Sequence, residues 1–193
     1  MNRSEYHIRN LLMMEDQVKW HLREWRNQPF VRNQMIQSEE ISESAHEAYL
    51  QKLPHHPTRQ VYLLMEGETP LGVMNLDWFR ETDSLEFGFF VIREHDQYRG
   101  LGALMEYVIL EHAINELAVN EVFCRTLTTN EKTIALHRKF GFQSLGKETL
   151  ETGNLLLRQS ISPQEWQDKK DGLKRMLMRM APVTDIQWQN GGS

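Results

Sequence analysis

The chain has 193 residues, a formal net charge of -5, 40% hydrophobic and 25% charged residues. That length holds one domain with a sizeable core, and the balance excludes both the basic field of a nucleic-acid binder and the low hydrophobicity of a disordered chain. Cys124 is the sole cysteine, so no intrachain disulfide can form, and no signal-type leader or run of about 18 apolar residues is present; this predicts a cytoplasmic protein with no membrane partner.

In chain order, "HIRNLLMM" reads as a first strand, and "DQVKWHLREWRN" as a helix with Val18, Leu22 and Trp25 at helical spacing, ending near Asn27. "SAHEAYLQKL" reads as a second helix, with Ser44 and Glu47 in capping-box spacing and Pro54 as its stop. "QVYLLMEGETPLGVMNLDW" then gives two strands around a glycine turn and "SLEFGFFVI" a third, an antiparallel meander. A helix follows over roughly Gly100 to Glu116, then the strand "EVFCRTL" and a short helix "EKTIALHRKF" ended by Gly141. Strand, helix, strand, helix implies a parallel pairing here.

"FQSLGKETL" and "NLLLRQSI" form a hairpin, and Ser162, Pro163 and Glu165 cap a final helix. That helix sets Leu173, Leu177 and Met180 at helical spacing beside Lys169, Lys170, Lys174, Arg175 and Arg179, a face suited to covering the sheet or a dimer seam. The remaining "APVTDIQWQNGGS" is expected to be loosely ordered. The expectation is therefore an α/β fold over 1–161 with a helical tail over 162–193, as a monomer or homodimer.

"DQYRGLGALMEY" places Gly100 and Gly102 where a helix begins after an apolar strand. The first amides of a helix lack intrahelical partners and attract anions such as phosphates, and glycine keeps side chains out of their way. Gln97 and Arg99 can add donors. The alternative is a strand-to-helix turn that needs glycine for its dihedrals. Position 105 is Met105, not a third glycine, and no Gly-Lys-Ser/Thr follows, so neither the dinucleotide fingerprint nor a Walker loop is present.

Gln97, Gly100, Gly102 and Ala103 resemble the acyl-CoA pyrophosphate loop of the GNAT N-acetyltransferases, pattern Gln/Arg-x-x-Gly-x-Gly/Ala. Asn130 after "VFCRTL" and the helix "ALHRKFGF" stand in family order, over roughly residues 6 to 150. The resemblance implies the GNAT fold, a mixed and mostly antiparallel sheet flanked by helices, and acetyl-CoA as co-substrate held by Gln97, Tyr98, Arg99, Gly100, Leu101, Gly102, Ala103 and Asn130. It also implies pantetheine and oxyanion contacts from the backbone of Phe90, Val91 and Ile92.

A small-molecule amine is the implied acceptor. Glu86 is the implied base, since a lysine-like amine with a pKa near about 10.4 is almost wholly protonated at neutral pH; otherwise it is a solvated edge carboxylate. The family's tyrosine, proton donor to the leaving thiolate, is replaced by His137. Its alternative is packing without proton transfer.

A narrower resemblance, through "WRNQPFVRNQM" and "ISESAHEAYL", is to acetyltransferases of the pseudaminic acid pathway, which act on a UDP-linked amino-dideoxy sugar. It implies substrate contacts from Trp25, Arg26, Asn27, Arg32 and Met35, with the arginines meeting a diphosphate. Trp25, Arg26 and Asn27 read equally as a helix end packed by its tryptophan. A protein N-terminus or a polyamine, the latter drawn by Glu39, Glu40 and Glu43, is the alternative acceptor. A CoA-binding module without catalysis is the alternative from another class. No metal is expected: "HEAYL" lacks the second histidine of H-E-x-x-H, and no second cysteine exists.

Overall fold

The computed structural model describes residues 6–180 and 188–189. Strands β1 (Tyr6–Asn10), β2 (Arg59–Glu66), β3 (Thr69–Phe79), β4 (Ser84–Val91), β5 (Glu121–Leu127), β6 (Gln143–Thr149), β7 (Leu155–Ile161) and β8 (Trp188–Gln189) form one sheet in the order β6-β7-β5-β4-β3-β2-β1-β8. β1 to β4 pair antiparallel, as do β5–β7 and β6–β7; β4–β5 and β1–β8 are parallel. The helices are α1 (Asp16–Asn27), α2 (Pro29–Arg32), α3 (Glu43–Lys52), α4 (Leu101–Glu111), α5 (Glu131–Phe140) and α6 (Pro163–Met180). This is the mixed, mostly antiparallel sheet flanked by helices that the motifs implied.

Both faces of the sheet are buried at its central strands β2 and β3, which explains why these read as apolar runs, whereas the edge strand β6 is exposed throughout. Along β2 the side chains alternate, with Tyr62 and Leu64 facing the α4 and α6 side and Val61, Leu63 and Met65 the α1 to α3 side. From α4, every residue from Ala103 to Leu110 is buried; from α6, Trp166, Leu173 and Leu177 are. Ser162 and Glu165 complete a reciprocal capping box: Ser162 N–H donates to Glu165 at 2.8 Å, and Glu165 N–H donates to Ser162 Oγ at 3.3 Å.

Three local expectations change. β1 stops at Asn10, because the Asn10 side chain accepts from Leu12 N–H at 2.9 Å and turns the chain into a short 3-10 segment. The N-cap of α3 is Ser42, which is extended and accepts from Ala45 N–H, two residues before the expected Ser44. Within the stretch expected to be loosely ordered, Trp188 and Gln189 pair with Ile8 and Arg9, and Trp188 stacks 4.0 Å from His112. The rest of that stretch, and the side chains of Arg179 and Met180, lie outside the described residues. No helix among the described residues is long and apolar enough to cross a membrane.

Candidate active site

The centre of the sheet is split. β4 and β5 pair only where Ser84, Leu85 and Glu86 meet Glu121, Val122 and Phe123. Beyond that point β4 stays with β3 as far as Val91, whereas β5 follows β7 to Leu127, and a V opens between them. Ile92 N–H donates to Leu71 at 2.9 Å, so alternation along β4 turns the amides of Phe89 and Val91 the other way, into the V. Of the expected backbone stretch Phe90 to Ile92, Val91 therefore presents a donor there; Phe90 and Ile92 face β3, and Phe89 joins Val91. A cavity of about 860 Å3 runs through this opening.

The glycine loop closes one wall. Gly100 is left-handed at φ 74°, and the first bond into α4 is Leu104 N–H to Gly100 C=O at 3.1 Å, which leaves the amides of Leu101, Gly102 and Ala103 without a helical acceptor. Gly102 and Gln97 line the cavity. Tyr98 is exposed, and the side chains of Leu101 and Ala103 enter the core. Arg99 turns away: its guanidinium donates to Glu66 at 2.9 Å, Asp96 at 3.1 Å and the Tyr6 hydroxyl at 3.2 Å. It braces the loop against β1 and β2 instead of offering its side chain to an anion. Burial raises the Asp96 carboxyl, but hydrogen bonds from Arg93 and Arg99 outweigh it and hold the group below the usual carboxylate range.

Across the floor, four strands each contribute one charge. Arg59 donates to Asp77 at 3.1 Å, Asp77 lies opposite Glu86 in register, and Arg125 donates to both Glu86 oxygens at 2.8 and 3.1 Å. Glu86 thus faces the cavity as half of a bidentate pair, with lone-pair positions still open beside Asp77. Arg59, Asp77 and Arg125 were not anticipated from sequence. Their signal is cross-strand register, which motif spacing does not carry.

His137, on the second turn of α5, is 2% exposed, yet it lines the cavity. Its Nδ1 lies 2.9 Å from a carboxylate oxygen of Glu106, itself 0% exposed on α4. Phe87, Phe89 and Phe142 surround the ring at 5.4 to 6.3 Å. Burial works against a charged imidazole, but the Glu106 carboxylate and the neighbouring Cys124 side chain more than offset it and push the His137 pKa up, to about 10. The pair keeps its proton at neutral pH. Asn130 caps α5 by accepting from Thr133 N–H at 3.3 Å and also lines the cavity.

Among the expected substrate residues, Arg26 and Met35 line the cavity. Trp25 stacks on His21, Asn27 clamps the backbone of Ile41 through two hydrogen bonds of 2.9 Å, and Arg32 sits 3.7 Å from Glu40. Asn27 and Arg32 thus tie down the segment after α2, Trp25 packs along its own helix, and all three stand outside the cavity wall. Arg26 donates to the Gln37 carbonyl, while its Nη1 is buried with no hydrogen-bond partner. Among the described residues no group of three His, Cys, Asp or Glu could hold a metal ion.

Residues 8–143 match the model of the acetyltransferase (GNAT) domain. The chain belongs to the GNAT acetyltransferases. The acetyltransferase PseH of Campylobacter jejuni is 26% identical to this GNAT protein over 136 residues, 70% of this chain and 83% of that one. The crystal structure of spermidine N-acetyltransferase from Vibrio cholerae, in complex with CoA and spermine, superimposes with a TM-score of 0.74 at 16% identity, covering 86% of this chain and 99% of that chain. Aminoglycoside acetyltransferase AAC(6')-Ib with coenzyme A gives 0.71 at 18% identity, over 86% and 99%. At these identities the two structures establish a shared fold. With its family, fold and split sheet, this GNAT protein is an acetyl-CoA-dependent acyltransferase acting on an amine.

Proposed function

We propose that the acceptor is a UDP-linked 4-amino-dideoxy sugar, whose primary amine attacks the thioester directly in a ternary complex. What carries this reading is Arg26, a half-buried guanidinium in the cavity wall with an unpartnered Nη1. Of the basic residues that line the cavity, Arg59 and Arg125 are paired with its two carboxylates, Asp77 and Glu86, and Arg23 with Glu43 outside it, which leaves Arg26 and Lys132 without a carboxylate partner among the described residues. The surplus favours an anionic acceptor, and a guanidinium suits a diphosphate. The resemblance of "WRNQPFVRNQM" and "ISESAHEAYL" to the acetyltransferases of the pseudaminic acid pathway points the same way.

The free amides of Leu101, Gly102 and Ala103, with Gln97 and Asn130, fit the diphosphate of coenzyme A, and the amides of Phe89 and Val91 fit its pantetheine arm and the carbonyl oxygen that gains charge. Acetyl-CoA supplies the activated thioester. Glu86 receives the amine on the lone pairs Arg125 leaves open, and His137 supplies the proton that the departing sulfur takes up.

A polyamine acceptor is the second reading, favoured by the likeness to the Vibrio cholerae spermidine enzyme. Glu40 and Glu43, however, are paired with Arg32 and Arg23, and neither they nor Glu39 lines the cavity. Release of free CoA thiol with a UDP-amino sugar and with spermidine separates the two. The sugar reading expects turnover with the nucleotide sugar and a KM raised about 10- to 100-fold in Arg26→Ala, the range of a lost charge-assisted hydrogen bond. Turnover with spermidine alone overturns it.

A further inference from the structure

Glu106 is the sole charged residue between Gly100 and Leu110, on a helix whose every residue from Ala103 to Leu110 is buried. A carboxylate sealed in such a place is costly unless it is paired. Its one hydrogen-bond partner is His137 Nδ1 at 2.9 Å, reached from a different helix 31 residues away, and its second oxygen is buried without a partner. A core needing only to pack would use leucine here, as at Leu104 and Leu110.

We infer that Glu106 is the positioning residue for the proton donor, fixing the His137 ring through Nδ1 so that Nε2, beside Cys124 in the cavity wall, is the nitrogen turned toward the leaving sulfur. The inference rests on the acetyltransferase reading above. Every group facing His137 fits it. Glu106 comes from α4, the Cys124 thiol from β5, and the aromatic rings of Phe87, Phe89 and Phe142 leave no competing charge against the imidazole. The raised His137 pKa follows from the same contacts.

The balance of the step closes. The acceptor nitrogen forms its bond to the acetyl carbon, the carbon–sulfur bond breaks with its electron pair going to sulfur, and the Nε2 proton passes to that sulfur as free thiol. His137 is left neutral against the Glu106 carboxylate, and the proton shed by the acetylated nitrogen restores it. Glu106 itself exchanges nothing.

The test is the pH profile of turnover in wild type and Glu106→Gln, with the His137 ring nitrogens followed by NMR across pH 5 to 11. Wild type should hold its donor limb to well above pH 8, with the ring titrating far above the ordinary imidazole value near about 6.5. Glu106→Gln should move that limb down toward the ordinary value and lower kcat at pH 8 by about 100-fold, the scale of positioned proton transfer. Its KM for acetyl-CoA should stay within about twofold, and in a His137→Phe background it should cause no further loss.

A folded Glu106→Gln protein with the wild-type profile overturns the inference. Should that variant fail to fold, wild type decides: a His137 ring titrating near 6.5 overturns it, as does a ring whose titration leaves kcat unchanged, and a ring still protonated at pH 8 whose proton loss coincides with the falling limb of kcat upholds it. A wild-type protein that acetylates no amine at any pH refutes the enzymatic reading and this inference together. Turnover with an unmoved pH profile refutes this inference alone.

Discussion

Replacing Gly102 by alanine and by valine separates what the helix prefers from what the ligand requires. A Cβ built at Gly102 would stand 3.4 Å from Phe89 Cε2 and 3.6 Å from Leu136 Cδ2, ordinary contacts that need no rearrangement. Its backbone is helical and φ is not positive, so no strain enters. Alanine is favoured over glycine in a helix by up to about 1 kcal/mol, which in a chain of this size raises Tm by about 2–4 °C. The loop pattern itself admits alanine at this position, so the methyl should leave the Kd for CoA within about threefold, whereas the larger side chain of Gly102→Val crowds the ligand beside the unpartnered amides of the first turn at a cost of about 1–3 kcal/mol, a factor of about 5–150 in Kd. Thermal melting and calorimetry with CoA measure both effects. A valine variant that binds CoA as tightly as wild type refutes the placement of the diphosphate at this turn, and a Tm lowered by several degrees in the alanine variant refutes the packing argument.

Trp166→Ala should destabilise by about 3–5 kcal/mol, since the indole is fully buried against Tyr107 and Phe140; urea unfolding measures it, and a loss under about 1 kcal/mol would mean that α6 is not part of the core. His137 and Glu106 together hold a proton that the unfolded chain releases near pH 6.5, so their stabilisation is complete below that value and fades as pH rises toward about 10. Tm should therefore fall from pH 6.5 to 10 more steeply in wild type than in the Glu106→Gln/His137→Phe double variant, which carries neither titrating group, and equal slopes would contradict the pairing. Arg99→Leu should weaken CoA binding without removing a ligand contact, by freeing the loop from Glu66 and Asp96; unchanged affinity would show that the brace is dispensable.

The readable parts of this chain were the ones with local causes. The hairpins, the Pro163 capping box and the glycine-opened α4 each depend on residues within about five positions, and each is where the sequence placed it. Arg26 and Arg32 could not be told apart by spacing, because the segment after α2 folds back so that one faces the cavity and the other Glu40. The ladder from Arg59 to Arg125 needed the register of four strands. Glu106 left a trace that was legible after all, a single charge inside "LGALMEYVIL", but its meaning depends on a histidine brought from another helix. Pairing of Trp188 with β1 has no periodic signal at all, being two residues long.

The sheet resembles a book whose two leaves share a spine of only three residue pairs, Ser84 to Glu86 against Glu121 to Phe123. The Arg125–Glu86 bidentate pair is the clasp at the top of that spine, just where the pages separate. Arg125→Ala would undo that clasp and leave the parting of the leaves held by the three backbone pairs of the spine alone.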